Sequence, residues 1–481
     1  MQQVQEIQAT HDRRKAAAIA LLVAGAFFME NLDGTVIATA LPQMARSFGA
    51  NPIDLNMGMT AYMLTLAVFI PVSGWMADRY GARVIFSSAI ALFTGASVVC
   101  GFSQGLWEFT AARVLQGIGG AMMVPVGRLL VLRITEKKDL MRAMAYLTWP
   151  GLAAPVLGPP LGGFITTYSS WRWIFFLNIP LGIVAGILAL RWVRSEIAHA
   201  PRPLDWKGFA LAGSAFTSLL YGMELIGRQG GTWTAPVLFV AYGLVVGALA
   251  VRHMRAREHP LLDLTALRIH TYSVSLLSGS LFRIAVNVSP FLLPLMFQVP
   301  FGMNAFHSGL LLLALFFGNF SMKSVTTPVL RRFGFRTVLI VNGIITGALI
   351  LSFAALTPRT PLALVAALLF VHGLSRSMQF TSVNTLSYVD VPKPQMSGAN
   401  TLASVLQQLA MGMGVAVGAL ALRASAWLRG NHTGVPALGD FHLAFALVAI
   451  MAFSAVRDCF TLDPHAGSEV TGHRPAPIAA R

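Results

Sequence analysis

Residues 27–42, FFMENLDGTVIATALP, place two carboxylates, Glu30 and Asp33, inside a run from Ala16 to Leu41 that is otherwise apolar or weakly polar. The run is long enough to cross a bilayer, and a charge at bilayer depth costs about 3 kcal/mol on insertion scales. Three residues apart on a helix, the two carboxylates share a face, and that face cannot be turned to lipid. A second apolar run carries Arg113. At 1.5 Å per residue, Asp33 lies about 12 Å below the outer end of its run near Leu41, and Arg113 about 10 Å below the outer end of its own near Leu106. Equal depth makes Arg113 the expected counter-charge if the two helices are neighbours. One guanidinium neutralises one carboxylate, and like charges one turn apart do not both ionise readily, so one of the pair is expected to carry a proton. A carboxylate that gains and loses a proton as its pocket opens to either side is what proton coupling requires. The rival reading is that both carboxylates only satisfy polar groups of neighbouring helices.

The second half shows the opposite sign. Arg283, Lys323 and Arg376 fall within apolar runs with no acidic residue beside them, and His372 is one turn from Arg376. Singly, such cations can snorkel or pair with carbonyls; together they set a basic C-terminal half against an acidic N-terminal half. Glu30, Gln116, Arg283, Arg376 and His372 are therefore the candidates for a central cavity. Glu30 and Asp33 would receive a cation and the arginines an anion, so the charge class of a ligand stays open.

These residues need helices at bilayer depth to hold them, and composition supplies them. Of 481 residues 55% are hydrophobic and only 11% charged, with a mean hydropathy of +0.66, values that belong to an integral membrane protein. The net charge of +16 sits in short clusters between apolar runs and forms no basic domain with interleaved aromatics, which argues against nucleic acid as a partner. Cys100 and Cys459 sit far apart in separate apolar segments and suggest neither a disulfide framework nor a metal site. Windows of about twenty apolar residues recur at 16–41, 55–77, 83–103, 106–132, 143–166, 172–192, 207–227, 234–252, 271–298, 306–330, 336–356, 361–385, 397–424 and 440–460. The expectation is fourteen membrane helices, an even number that puts both termini on one side. Lys and Arg crowd one set of loops, including Arg13-Arg14-Lys15, Arg79 and Arg83, Arg133 to Arg142, and Arg331 to Arg336, whereas the other set holds little beyond Arg46, Arg172, Arg228, Arg359, Arg423 and Arg429. The basic side, with both termini, is expected to be cytoplasmic.

Four local patterns converge. GWMADRYGAR (Gly74, Asp78, Arg79, Gly81, Arg83) follows the second window, RVLQGIGGA (Arg113, Gln116, Gly117, Gly119, Gly120) lies in the fourth, PGLAAPVLGPPLGG (Gly158, Pro159, Gly162, Gly163) in the fifth, and LDGTVIATALP in the first, with SSWRWIFFLNIP later. The first loop is echoed after the tenth window by TPVLRRFGFRTVLI, the mark of a transporter built from related halves. In this order the four patterns resemble the major facilitator superfamily, and within it the fourteen-helix drug:proton antiporters, most nearly the multidrug exporters of enterobacteria. The resemblance covers nearly the whole chain. It departs in two places: PVLRRFGFR lacks the acidic residue of the first loop, and Glu30 lies outside the first-helix pattern.

The resemblance implies an all-α fold of two six-helix bundles with two helices between them. The segments would be a cytoplasmic tail 1–15, a bundle 16–192, a linker with two inserted helices 193–270, a bundle 271–460 and a disordered cytoplasmic tail 461–481. It further implies export of amphiphilic small molecules by alternating access in the inner membrane, by a monomer with no cofactor beyond the coupling proton. Asp33, Glu30 and Arg113 would couple the proton, the GWMADRYGAR loop would gate, and the Gly-Pro cluster would bend the fifth helix into a seal. A proton-coupled transporter of one metabolite or organic anion is the alternative. The sequence has no HExxH and no Walker pattern, so neither a zinc hydrolase nor an ATP-driven pump is expected.

Overall fold

In hydrocarbon every backbone N–H and C=O must be satisfied within its own segment, and apolar runs of this length do so as helices. The computed structural model describes residues 2–49, 55–193, 203–227, 233–431 and 435–472, and every regular element among them is helical. The N-terminal half comprises α1 (Gln2–Phe48), α2 (Asn56–Tyr80), α3 (Ala82–Phe102), α4 (Leu106–Ile134), α5 (Leu140–Tyr168), a single turn α6 (Trp173–Phe176) and α7 (Asn178–Trp192). Next come α8 (Trp206–Gly227) and α9 (Thr234–Ala256). The C-terminal half comprises α10 (His270–Gln298), α11 (Ala305–Ser321), α12 (Lys323–Phe353), α13 (Leu362–Val389), α14 (Met396–Leu428), α15 (Leu438–Ser454) and a short α16 (Ser468–Thr471).

The halves repeat one packing scheme. In the first, α1 packs on α5, α2 and α3 on α4, and α3 on α7; in the second, α10 packs on α14, α11 and α12 on α13, and α12 on α15. The echoed loops occupy equivalent corners. Gly81 (φ 86°) and Gly334 (φ 72°) both take the left-handed region that favours glycine. Two residues on, Arg83 donates to the carbonyl of Leu190 near the end of α7 and Arg336 to that of Phe460 in the turn that follows α15. The pair α8–α9 packs against α2 and α14, one helix from each half. Asp205 accepts from the Gly208 N–H at 3.0 Å and lies 2.9 Å from His253 Nε2, tying the start of α8 to the end of α9. Burial alone would raise that carboxyl, but the His253 and Gly208 hydrogen bonds outweigh it and hold Asp205 below the usual carboxylate range.

The structure bears on three expectations. Among the described residues, twelve helices rather than fourteen are long and apolar enough to cross a membrane. The Gly- and Pro-rich α5 is not among the twelve, and the 17-residue α11 is too short. The tenth window, 306–330, is broken at Met322 between α11 and α12, whereas the gap before the eleventh coincides with Gly334, where the backbone leaves the helical region. At the N-terminus α1 already starts at Gln2, so the expected tail is helical from that residue on. At the other end the segment expected to be disordered is packed as far as 472: Val470 and Thr471 are buried in α16, and Glu469 pairs with Lys137 at 2.9 Å.

Candidate functional site

Asp33 is 2% exposed and accepts three hydrogen bonds. Arg113 Nη1 donates to its Oδ2 at 2.6 Å, while Gln116 Nε2 and Asn178 Nδ2 both donate to its Oδ1 at 2.9 Å. Ser97 closes the knot, accepting from Gln116 at 2.8 Å and Asn178 at 3.2 Å and passing its own proton to the Phe93 carbonyl. Arg113, 1% exposed, stacks 4.1 Å from the Tyr62 ring centroid and also donates to Gln116 Oε1 at 2.6 Å. Four helices thus meet at one carboxylate: α1, α3, α4 and α7.

The local sequence explains why they can. The glycines of RVLQGIGGA seat three neighbours on α4. A Cβ on Gly117 would meet Thr65 at 2.8 Å, one on Gly119 the Phe93 backbone nitrogen at 2.8 Å, and one on Gly120 the Leu66 side chain at 3.1 Å and the Tyr62 hydroxyl at 3.2 Å. The SSWRWIFFLNIP stretch anchors Asn178 in turn. Its Trp171 is fully enclosed, the Trp171 backbone N–H donates to Gln43 Oε1, and the α6 turn delivers Asn178 to the knot. Asn178 and Ser97 escaped the sequence reading because lone uncharged polar residues are common in apolar windows.

Glu30, one turn below, is held differently. Its carboxyl lies against Gly120, beside the Tyr62 hydroxyl, and its Oε2 is buried with no hydrogen-bond partner, as is that hydroxyl. The charged groups it feels are Asp33 and Arg128. Arg128, on α4, was not a candidate from the sequence. It reaches across to Gln407 of α14 at 3.5 Å and sits 5.9 Å from the Phe27 ring. Its signal was an arginine inside an apolar window, about four helical turns from Arg113.

In the C-terminal half, Arg283 and Arg376 approach one ring, Phe380, at 5.7 and 5.6 Å. Lys323 donates to Thr381 at the junction of α11 and α12. His372 is not with them: it is 0% exposed, edge-on to Phe353 at 5.3 Å, within the outer core of this half. Its neighbour in sequence, Arg376, is half-buried instead, because the packing of α13 on α12 covers the His372 side.

At the inner end, which carries the basic loops, the two halves touch. A Cβ on Gly74 would meet Thr401 Oγ1 at 2.3 Å, Ser397 donates to the Gly74 carbonyl at 3.4 Å, and Asn400 Nδ2 donates to the Pro125 carbonyl at 2.9 Å. Asp78 pairs with Arg133 of α4 at 2.5 Å, and Arg79 lies over Trp75 and Tyr80 at 5.4 and 5.6 Å. Farther out, Gln408 Nε2 of α14 donates to Met63 Sδ of α2 at 3.9 Å. On α5, a Cβ on Gly158 would meet Thr35 Oγ1 at 2.3 Å, so this glycine seats α1. Gly162 is buried, its carbonyl accepting from Thr166, and Gly163 has open space; the Pro159 side chain lies outside the described residues.

Gly74→Val tests the inner contact. Overpacking costs about 1–3 kcal/mol, and here only the inner-closed arrangement bears it, so that state loses about ten- to a hundredfold in population. Transport in proteoliposomes is expected to fall by about tenfold or more with membrane insertion normal. Wild-type rates would reduce the contact to packing.

Comparison with known proteins follows the same lines. Residues 23–415 match the family model described as Major Facilitator Superfamily. The chain is 38% identical over 429 residues to "Putative multidrug resistance protein MdtD" of Serratia proteamaculans, covering 88% of each chain. It is 40% identical to the protein of that name from Klebsiella pneumoniae strain 342, covering 83% of this chain and 85% of that one. Among solved structures it resembles the human organic anion transporter MFSD10 with TM-score 0.62 at 13% identity, covering 93% of this chain and 99% of that one. The proton:xylose symporter XylE gives TM-score 0.63 at 13% identity, covering 92% of this chain and 95% of that one. With helices, repeats and motif contacts all in agreement, this chain belongs to the Major Facilitator Superfamily.

Proposed function

We propose that the protein is a proton-driven exporter of amphiphilic small molecules, working by alternating access as a monomer in the inner membrane, with the proton as its only coupling ion. The observation that carries this reading is the contrast between two carboxylates one turn apart. Asp33 has three donors, with both oxygens engaged. Glu30 has a buried oxygen with none, next to an arginine that reaches across to the other half. Asp33 then fixes the helices and Glu30 exchanges the proton, since only Glu30 can change its charge without dismantling a hydrogen-bonded knot. The multidrug names of the relatives and the antiporter-like pattern of α5 support export.

The finer topology belongs to the same proposal. Adding α5, and counting α11 with the first part of α12 up to the Gly334 kink as one crossing, raises twelve candidates to fourteen, with both termini cytoplasmic. Cysteines placed at Lys207 and Arg257 are expected to react with an impermeant maleimide only after the cytoplasmic side is opened. Labelling from the periplasm would overturn the topology. For the direction of coupling, proteoliposomes with an imposed pH gradient are expected to move substrate against the flow of protons; movement with them would indicate a symporter.

A further inference from the structure

Arg283 on α10 and Arg376 on α13 each have one neutral acceptor. Arg283 Nη2 donates to Asn384 Oδ1 at 2.6 Å and Arg376 Nη2 to Asn287 Oδ1 at 3.2 Å. Neither forms a salt bridge among the described residues, and three buried donors are left without an acceptor: Arg283 Nε, Arg376 Nη1 and Asn287 Nδ2. Arg283 is 4% exposed, so this is no snorkelling side chain. Arg376, Phe380 and Asn384 form a half-exposed stripe four residues apart on α13. From Val371 to Arg376 is a rotation of about 140°, which sets this stripe away from the exposed face formed by Leu364, Ala367 and Val371. Arg283, bonded to Asn384 of this stripe, lies within electrostatic reach of Arg128 on α4 of the other half. A buried charge without a partner is costly, and a pair of guanidinium forks with idle donors is matched to an oxyanion.

We propose that Arg283 and Arg376 bind the carboxylate head of an amphiphilic anion, with Phe380 between them taking part of its apolar body. That the anion is cargo rests on the exporter reading; the site itself does not.

The test uses three probes of one shape, 2-naphthoate, 2-naphthamide and 2-naphthylmethylammonium, and the full chain in lipid nanodiscs with empty nanodiscs subtracted. Naphthoate is expected to bind about tenfold or more tighter than the amide, and Arg283→Gln and Arg376→Gln each to weaken naphthoate by about tenfold while moving the amide by less than about threefold. Arg283→Lys and Arg376→Lys, which keep the charge and lose the fork, fall between. Equal affinity for naphthoate and the amide in the wild type overturns the site and needs no variant to fold. A naphthoate preference that survives the double Gln variant also overturns it. Proteoliposome efflux separates the two readings. If a pH gradient drives the amide or the ammonium and no naphthoate preference exists, the site fails and the exporter stands. If the gradient drives none of the three while arginine-dependent naphthoate binding holds, the site stands and the exporter fails.

Discussion

Asp33→Asn is expected to abolish transport and to cost about 3–5 kcal/mol of stability, the penalty for breaking one partner of a buried ion pair. The amide has one acceptor where the carboxylate had two, and it must turn its NH2 group either on Arg113 or on Gln116 and Asn178 together. Arg113 would then be a buried cation with only Gln116 and the face of Tyr62. Arg113→Gln is expected to destabilise by a similar mechanism, leaving the carboxylate short of its charged donor. The double variant removes both charges, so it should cost clearly less than the sum of the two. Thermal melts in detergent measure all three. An Asp33→Asn protein that melts like the wild type would show that the knot does not hold α1, α3, α4 and α7 together. Recovery of transport at any external pH would show that Asp33 matters for its proton instead.

Depth arithmetic was enough to point from Asp33 to Arg113, because ionisable groups in hydrocarbon have few ways to be satisfied and helices fix their height. It could not see Ser97 or Asn178, which are polar without being costly, nor that Gln116 would be fully enclosed in the knot. Arg128 was missed because it lies near the inner end of its window and reads as a flank. His372 was misplaced because a spacing of one turn from Arg376 gives an angle and says nothing of what packs there; Phe353 decides it. Hydropathy and the echoed loop together marked the break at Gly334, but not the one at Met322, which falls inside a single apolar window and parts α11 from α12. The paired loops were legible as an echo, but not their shared function of tying an arginine to a carbonyl near the end of α7 or just after α15.

Glu30→Gln should separate movement from driving. The amide keeps the shape of the carboxyl against Gly120 and cannot exchange a proton, and nothing in the Asp33 knot depends on Glu30. Exchange of labelled for unlabelled substrate at equal pH is therefore expected to persist within about threefold, since that flux needs only the change of access. Accumulation against a gradient should vanish. One pH unit supplies about 1.4 kcal/mol per proton, or about tenfold in substrate ratio, and in the Gln variant that ratio should fall to about one whatever pH difference is imposed. The groups that face Glu30 are Asp33, Arg128 and Tyr62, so Arg128→Gln is the companion variant. It leaves a carboxylate to titrate, so coupling should survive with its pH dependence displaced. If Glu30→Gln transports with full dependence on the pH gradient, the proton travels elsewhere, and the double Asp33→Asn, Glu30→Gln variant then decides whether this face of α1 carries it at all.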